Sequence, residues 1–426
     1  MLSTTTALTL LHSKSYATDA FIKVRLQGFN MLLDRNNNAA ILLAGILALV
    51  VGVGVARFAF TSLLPAMLDN YLSIAFAGVL ASINYVGYLS GSIFSIFIKD
   101  IHSKVRFFRF GLALCIITSL VLGFTENNII WLIARLLAGF GAAMALVVGS
   151  AIVMSKLQNT NKTKAMGIHF SGLGFSILVS DLIMRAVFSV SDYWQHAWVV
   201  LTLAGTIFAS YSAYILSFEK QPANKVLKHT FDKSLFNPLV IILALAYFTE
   251  GVGMVVQATF LPDIVNSLEG LAGYGGYAWL AVGLAGIPSC IIWMRLAHRY
   301  NSIDIMMLAM ALQVIGILIP TFSSNIILNL ISGILFGGTF IGLVALFMNF
   351  GGQLAGKNPV FIMGLITAAY GVGQVIAPLY CVALIEQFNN YNAALYVTAA
   401  IVGIGILLLK YAKANLMGNH QLASKL

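Results

Sequence analysis

Residues 39–67 read AAILLAGILALVVGVGVARFAFTSLLPAM, a run of apolar and small side chains interrupted by one charge, Arg57. A helix needs roughly 20 predominantly apolar residues to cross about 30 Å of hydrocarbon, and this run exceeds that length. The same ruler predicts further crossings at 72–98, 105–124, 129–154, 165–189, 194–217, 238–264, 272–296, 303–322, 325–350, 359–385 and 391–412. The connections are short and carry turn residues, as in Asp69-Asn70, Glu126-Asn127-Asn128 and Asn389-Asn390. Two-residue alternation, the mark of an outer-membrane barrel, is absent. The sequence therefore predicts an all-α polytopic membrane protein with 12 transmembrane helices.

Composition leads to the same class. Of 426 residues, 60% are hydrophobic and 9% charged, and the mean hydropathy is +0.92. Soluble domains run near a quarter charged, so a water-soluble enzyme, a disordered chain and a nucleic-acid binder are all excluded. Cys115, Cys290 and Cys381 lie far apart inside apolar runs, which argues against a disulfide framework or a cysteine metal site. Neither a metal nor a cofactor is expected.

The net charge of +10 is explained by where the basic residues fall. With the N-terminus inside, all 24 Lys and Arg except Arg57, Arg135 and Arg185 fall in inner segments. Asp69, Glu126, Asp192, Asp263, Glu269 and Glu386 fall in outer ones. This positive-inside bias predicts N-in, C-in topology.

Between the sixth and seventh crossings runs a longer inner connection with Pro222 and four lysines. It divides the array into two pseudo-symmetric six-helix bundles, 39–217 and 238–413, joined by a cytoplasmic linker, 218–237. Residues 1–38 form a polar N-terminal extension and 414–426 a cytoplasmic tail. The extension has no signal-peptide core, and Met31 is the expected start of translation. Gly52-Val53-Gly54 with Leu64-Pro65 in the first helix is echoed by Gly251-Val252-Gly253 with Leu261-Pro262 in the seventh. Paired bundles with a site between them at the bilayer midplane are a transporter pattern.

An ionisable group in hydrocarbon costs about 2.5–3.5 kcal/mol on insertion scales, so each one calls for a reason. Arg57 and Glu250 both fall near mid-bilayer, at 1.5 Å per residue, in the first helix of each bundle. Arg57 reads as an anion or counter-ion site and Glu250 as a protonatable group, the alternative being a static bridge between them. Asp181 and Arg185, four residues apart, can pair on one face, or Asp181 can pair with Arg135. Asn84, Tyr85, Tyr88, Gln257, Tyr370 and Gln374 either orient a substrate in an apolar pocket or tie helices together. A membrane enzyme would need a clustered interfacial constellation, but His102, His196, His298 and His420 are scattered.

The run Arg135-Leu136-Leu137-Ala138-Gly139-Phe140-Gly141-Ala142 resembles the RxxxGxGxA motif of the major facilitator superfamily, whose arginine is implicated in proton coupling. Lys99-Asp100-Ile101-His102-Ser103-Lys104-Val105-Arg106 is a degenerate form of that superfamily's loop between helices 2 and 3. Gly54 to Met67, and Tyr370-Gly371-Val372-Gly373-Gln374 followed by Pro378, are similar to the YbfB/YjiJ-type branch. The resemblance implies a bacterial inner-membrane, multi-pass, monomeric carrier of a small organic molecule, driven by the proton gradient. Three cationic and two acidic groups within the spans lean towards an anionic or zwitterionic substrate. Proton-coupled efflux by antiport is the leading expectation, with proton-coupled uptake of a nutrient or siderophore as the alternative. Arg57, Asn84, Tyr85, Tyr88, Gln257, Tyr370 and Gln374 are the expected substrate contacts, and Glu250, Arg135 and Asp181 the expected coupling groups.

Overall fold

The computed structural model describes residues 31–98, 100–158, 162–217, 238–354 and 359–415. Residues 1–30, the whole of the linker 218–237, most of the tail, Lys99 and Lys357 therefore lie outside the described residues. Among the described residues there are twelve helices long and apolar enough to cross a membrane, and no strand. They are α1 Asn38–Leu68, α2 Ile74–Ile96, α3 Ile101–Leu122, α4 Asn128–Lys156, α5 Lys164–Phe188 and α6 Trp194–Ile215. Then follow α7 Pro238–Asn266, α8 Gly275–Arg299, α9 Ser302–Phe322, α10 Ile326–Leu354, α11 Ile362–Phe388 and α12 Asn392–Asn415.

The polar residues of the connections start the helices. Asn37, Ser73, Asp100, Asn127 and Asn301 each accept a hydrogen bond from a backbone N–H in the first turn that follows. Such N-caps satisfy donors that have no partner inside the helix. The Asp100 cap begins α3 at Ile101, earlier than the hydropathy boundary at 105. Lys104 and Arg106 lower hydropathy without ending helical hydrogen bonding. The Ser103 hydroxyl, then its N–H, hold the Asp100 carboxyl below its ordinary pKa.

The first helix is not uniform. Val50–Phe58 is π-helical over 9 residues, where π turns ordinarily come singly. Its glycines allow close approach. A Cβ at Gly54 would lie 2.6 Å from the Ser176 carbonyl oxygen of α5, and one at Gly52 would lie 2.5 Å from Ala145 Cβ of α4. A second π turn, Met144–Val148 in α4, packs against the first. In α7, Gly251 sits against the Tyr370 carbonyl of α11. The echoed Gly-Val-Gly runs therefore do the same work in packing: each seats a helix on a neighbouring backbone.

The first six helices meet the last six through α2 with α11, α5 with α8, and the latter part of α1 with α7. One end of the array carries the acidic loops and the other the basic ones. At the acidic end a Cβ on Gly78 of α2 would lie 2.4 Å from Val382 Cγ2 of α11, whereas near the basic end one on Gly364 would lie 3.5 Å from Ile96. In the α5–α8 pair a Cβ would lie 2.3 Å from Ile287 N at Gly174, midway along both helices, and 3.5 Å from Ile291 at Gly167, nearer the basic end. Thr61 of α1 donates its hydroxyl to the Ala258 carbonyl of α7, and Ser82 of α2 donates to the Val375 carbonyl of α11 at 2.9 Å. Phe58 packs edge-on against Trp279 and Phe340. The two groups of helices are pressed together at the acidic end and loosen towards the basic end.

Candidate substrate site

Arg57 is the penultimate residue of the π-helical segment and is buried, with 7% of its surface exposed. Its guanidinium carbon lies 4.4 Å from the ring centre of Tyr88 and 5.0 Å from that of Tyr85, both on α2. A cation over an aromatic face is attracted by the ring quadrupole, more strongly where water is excluded. Nε and Nη2 of Arg57 have no hydrogen-bond partner. Ion pairs among the described residues include Arg185 with Asp181 and Lys413 with Asp304.

A static Arg57–Glu250 bridge is not formed. Glu250 Oε1 accepts from Gln313 Nε2 of α9 at 3.4 Å, and Oε2 has no partner. Across from Arg57, Tyr370 of α11 stacks on Tyr247 of α7 at 4.4 Å, and Tyr247 stacks on Phe347 of α10 at 4.5 Å. Tyr370 is within electrostatic reach of Arg57, Glu250 and Tyr88. Arg57, Tyr85, Tyr88 and Tyr370 keep 7%, 5%, 8% and 6% exposure, while Glu250 and Gln257 have 0%. The four thus keep some exposed surface, whereas Glu250 is fully enclosed.

The other expected residues tie helices to one another. Asn84 Nδ2 donates to the Arg135 carbonyl at 2.9 Å, joining α2 to α4. Gln257 Nε2 lies 3.3 Å from both the Gly316 carbonyl of α9 and the Ser332 hydroxyl of α10. Gln374 Nε2 faces Met254 Sδ at 3.7 Å, and its carbonyl is unpartnered. Arg135 is 2% exposed, donates to the Ala56 carbonyl at 3.0 Å and the Leu80 carbonyl at 3.4 Å, and lies over Phe60. It makes no pair with Asp181, whose Oδ2 accepts from Arg185 Nε at 2.7 Å within α5. Arg185 in turn lies 4.6 Å over the Tyr277 ring of α8.

The structure brings together Arg57, Tyr85, Tyr88 and Tyr370, and places Glu250 nearby. Asn84, Gln257, Arg135 and Asp181 sit in helix packing. Sequence reading missed Tyr247, Phe347 and Gln313. Tyr247 was within reach of such reasoning, because it lies one turn before Glu250 and so shares its face. Gln313, an amide inside the apolar α9, was a second available signal.

Twelve apolar helices of membrane-spanning length, with a buried arginine beside tyrosines of α2, fit a membrane carrier of small solutes. The family model described as "Uncharacterised MFS-type transporter YbfB" matches residues 49–410, and the chain belongs to that family. It is 23% identical over 390 residues to the probable 4-methylmuconolactone transporter of Cupriavidus pinatubonensis, covering 86% of this chain and 83% of that one. It is 22% identical over 213 residues to the vesicular acetylcholine transporter of Torpedo torpedo, covering 49% of this chain and 41% of that protein, less than half the relative's length. The crystal structure of a mutant of the nucleoside transporter NupG superposes with a TM-score of 0.69 at 12% identity, covering 87% of this chain and 99% of that one. The protein is a multi-pass MFS-type transporter of small solutes, and its fold and homologues are those of transporters rather than enzymes.

Proposed function

We propose that the protein exports a small organic anion or zwitterion by proton antiport, through alternating access of two six-helix bundles, 39–217 and 238–413, around Arg57. The observation that carries this reading is Arg57 itself: a buried cation beside Tyr85 and Tyr88, with two unpaired donors and no carboxylate partner. An unpaired buried charge is expensive and marks a place where a ligand completes the pairing. Tyr85, Tyr88 and Tyr370 hold the body of the solute. Glu250 takes up and releases the coupled proton behind Tyr370. The proton gradient is the driving force, with no cofactor.

The basic end faces the cytoplasm of a bacterial cell, following the positive-inside rule. The protein works as a monomer in the inner membrane, and the looser packing at the basic end then corresponds to an inward-facing form. The relative named as a 4-methylmuconolactone transporter supports a small organic substrate. The decisive experiment is a metabolite screen for thermal stabilisation of the purified carrier, since a ligand that binds only the folded state raises its apparent stability. The ligand found is then tested on Arg57→Ala. Affinity should fall sharply, and an unchanged dissociation constant would reduce Arg57 to a structural role.

A further inference from the structure

Resting on the reading of Arg57 and the tyrosines as the substrate site, we infer that the solute is a monocarboxylate carried on a flat ring. The free donors of Arg57 decide the headgroup. Its guanidinium carbon lies over the rings of Tyr88 at 4.4 Å and Tyr85 at 5.0 Å. The N–H bonds of a guanidinium point outward in its own plane. The two unpartnered nitrogens, Nε and Nη2, share one edge of that plane. That edge presents two parallel donors spaced to meet both oxygens of a single carboxylate.

The surroundings limit the solute to one negative charge. Arg135 is committed to the Ala56 and Leu80 carbonyls and to the face of Phe60. It offers no second cation to a dicarboxylate or a phosphate dianion, and the excess charge would be left uncompensated in a desolvated site.

The walls choose the body. Tyr370, Tyr247 and Phe347 stack at interplanar angles of 21° and 10°, and the stack holds the Tyr370 ring, the one of the three that keeps exposure, as a flat aromatic wall. Tyr85 and Tyr88 supply aromatic surface on the α2 side. A planar ring between such surfaces gains stacking contact that a branched aliphatic chain does not.

Benzoate is the probe, with benzamide, phthalate and inorganic phosphate as comparisons, on the full chain purified in detergent. Benzoate should raise the unfolding midpoint with concentration. Benzamide, phthalate and phosphate should each bind at least about tenfold more weakly, and Arg57→Lys, which replaces the fork with a point charge, should lose roughly 10- to 100-fold in benzoate affinity. The ligand series on the unaltered chain does not depend on any variant folding. Benzamide matching benzoate, phosphate or phthalate binding more tightly, or no stabilisation by benzoate, overturns the assignment of the solute. A ligand that needs Arg57 but is an amine or a dianion removes the monocarboxylate and keeps the site. Benzoate affinity unchanged in both Arg57→Lys and Arg57→Ala removes the site itself.

Discussion

Arg135 donates from Nη1 to the carbonyl oxygen of Ala56 at 3.0 Å, so a cation buried in α4 is held by the backbone of α1 and by no carboxylate. The neighbouring residue along α1 is Arg57, and the contact fixes the turn from which Arg57 projects. Replacing Arg135 with Gln should remove at least one of these two charge-assisted hydrogen bonds, at about 1.5–3 kcal/mol each. Thermal unfolding followed by fluorescence should show a lowered midpoint, and a wild-type midpoint would mean the contact carries no weight.

Glu250 is met by a different neighbour, the amide of Gln313. Glu250→Gln preserves shape and one acceptor, so the fold should survive while flux driven by a pH gradient in proteoliposomes is abolished. Transport with wild-type pH dependence in this variant would take Glu250 out of coupling.

Two glycines should answer alanine in opposite ways. A Cβ on Gly139 of α4 would lie 1.9 Å from the Asn84 carbonyl, whereas one on Gly338 of α10 meets nothing within 4 Å. Gly139→Ala should destabilise by at least about 1–3 kcal/mol, the usual cost of overpacking, and reduce the monodisperse yield. Gly338→Ala should behave as wild type. Equal behaviour of the two variants would contradict the observed approach of α2 to α4.

Tyr391, between α11 and α12, donates its hydroxyl to Asp263 of α7. Burial raises the phenol pKa above its ordinary value, with the Asp263 charge and hydrogen bond adding to the rise. Because the folded-state pKa is raised, this contribution to stability is fully present below the unfolded value near 10 and is lost as pH rises through the folded one. Tyr391→Phe should therefore cost roughly 1–3 kcal/mol, with a constant gap between the melting curves from about pH 6 to 9. A gap that closes within that range would show that the hydroxyl is not acting as the donor.

The helices were legible because a membrane span is set by length and apolarity, which are linear properties of the chain. Where the reading erred, at the start of α3, the cause was that Lys104 and Arg106 alter hydropathy and not hydrogen bonding. The π-helical stretch Val50–Phe58 was not legible, because hydropathy carries no mark of helical winding and the contacts of Gly52 and Gly54 there are with α4 and α5, far away in sequence. The candidate site was half legible. Arg57 announces itself as a charge among apolar neighbours, as do the tyrosines of α2. The stacking of Tyr247 between Phe347 and Tyr370 depends on three helices distant in sequence, and no spacing rule reports it. The same limit explains why Asn84 and Gln257 looked equally fit for a solute or for a neighbouring helix.

Midway along both helices, α5 and α8 meet where Gly174 leaves main chain lying directly on main chain. A barrier of that kind has no rotamer that can swing aside to admit a solute. Passage between α5 and α8 requires whole helices to separate together, so leakage through small fluctuations is suppressed.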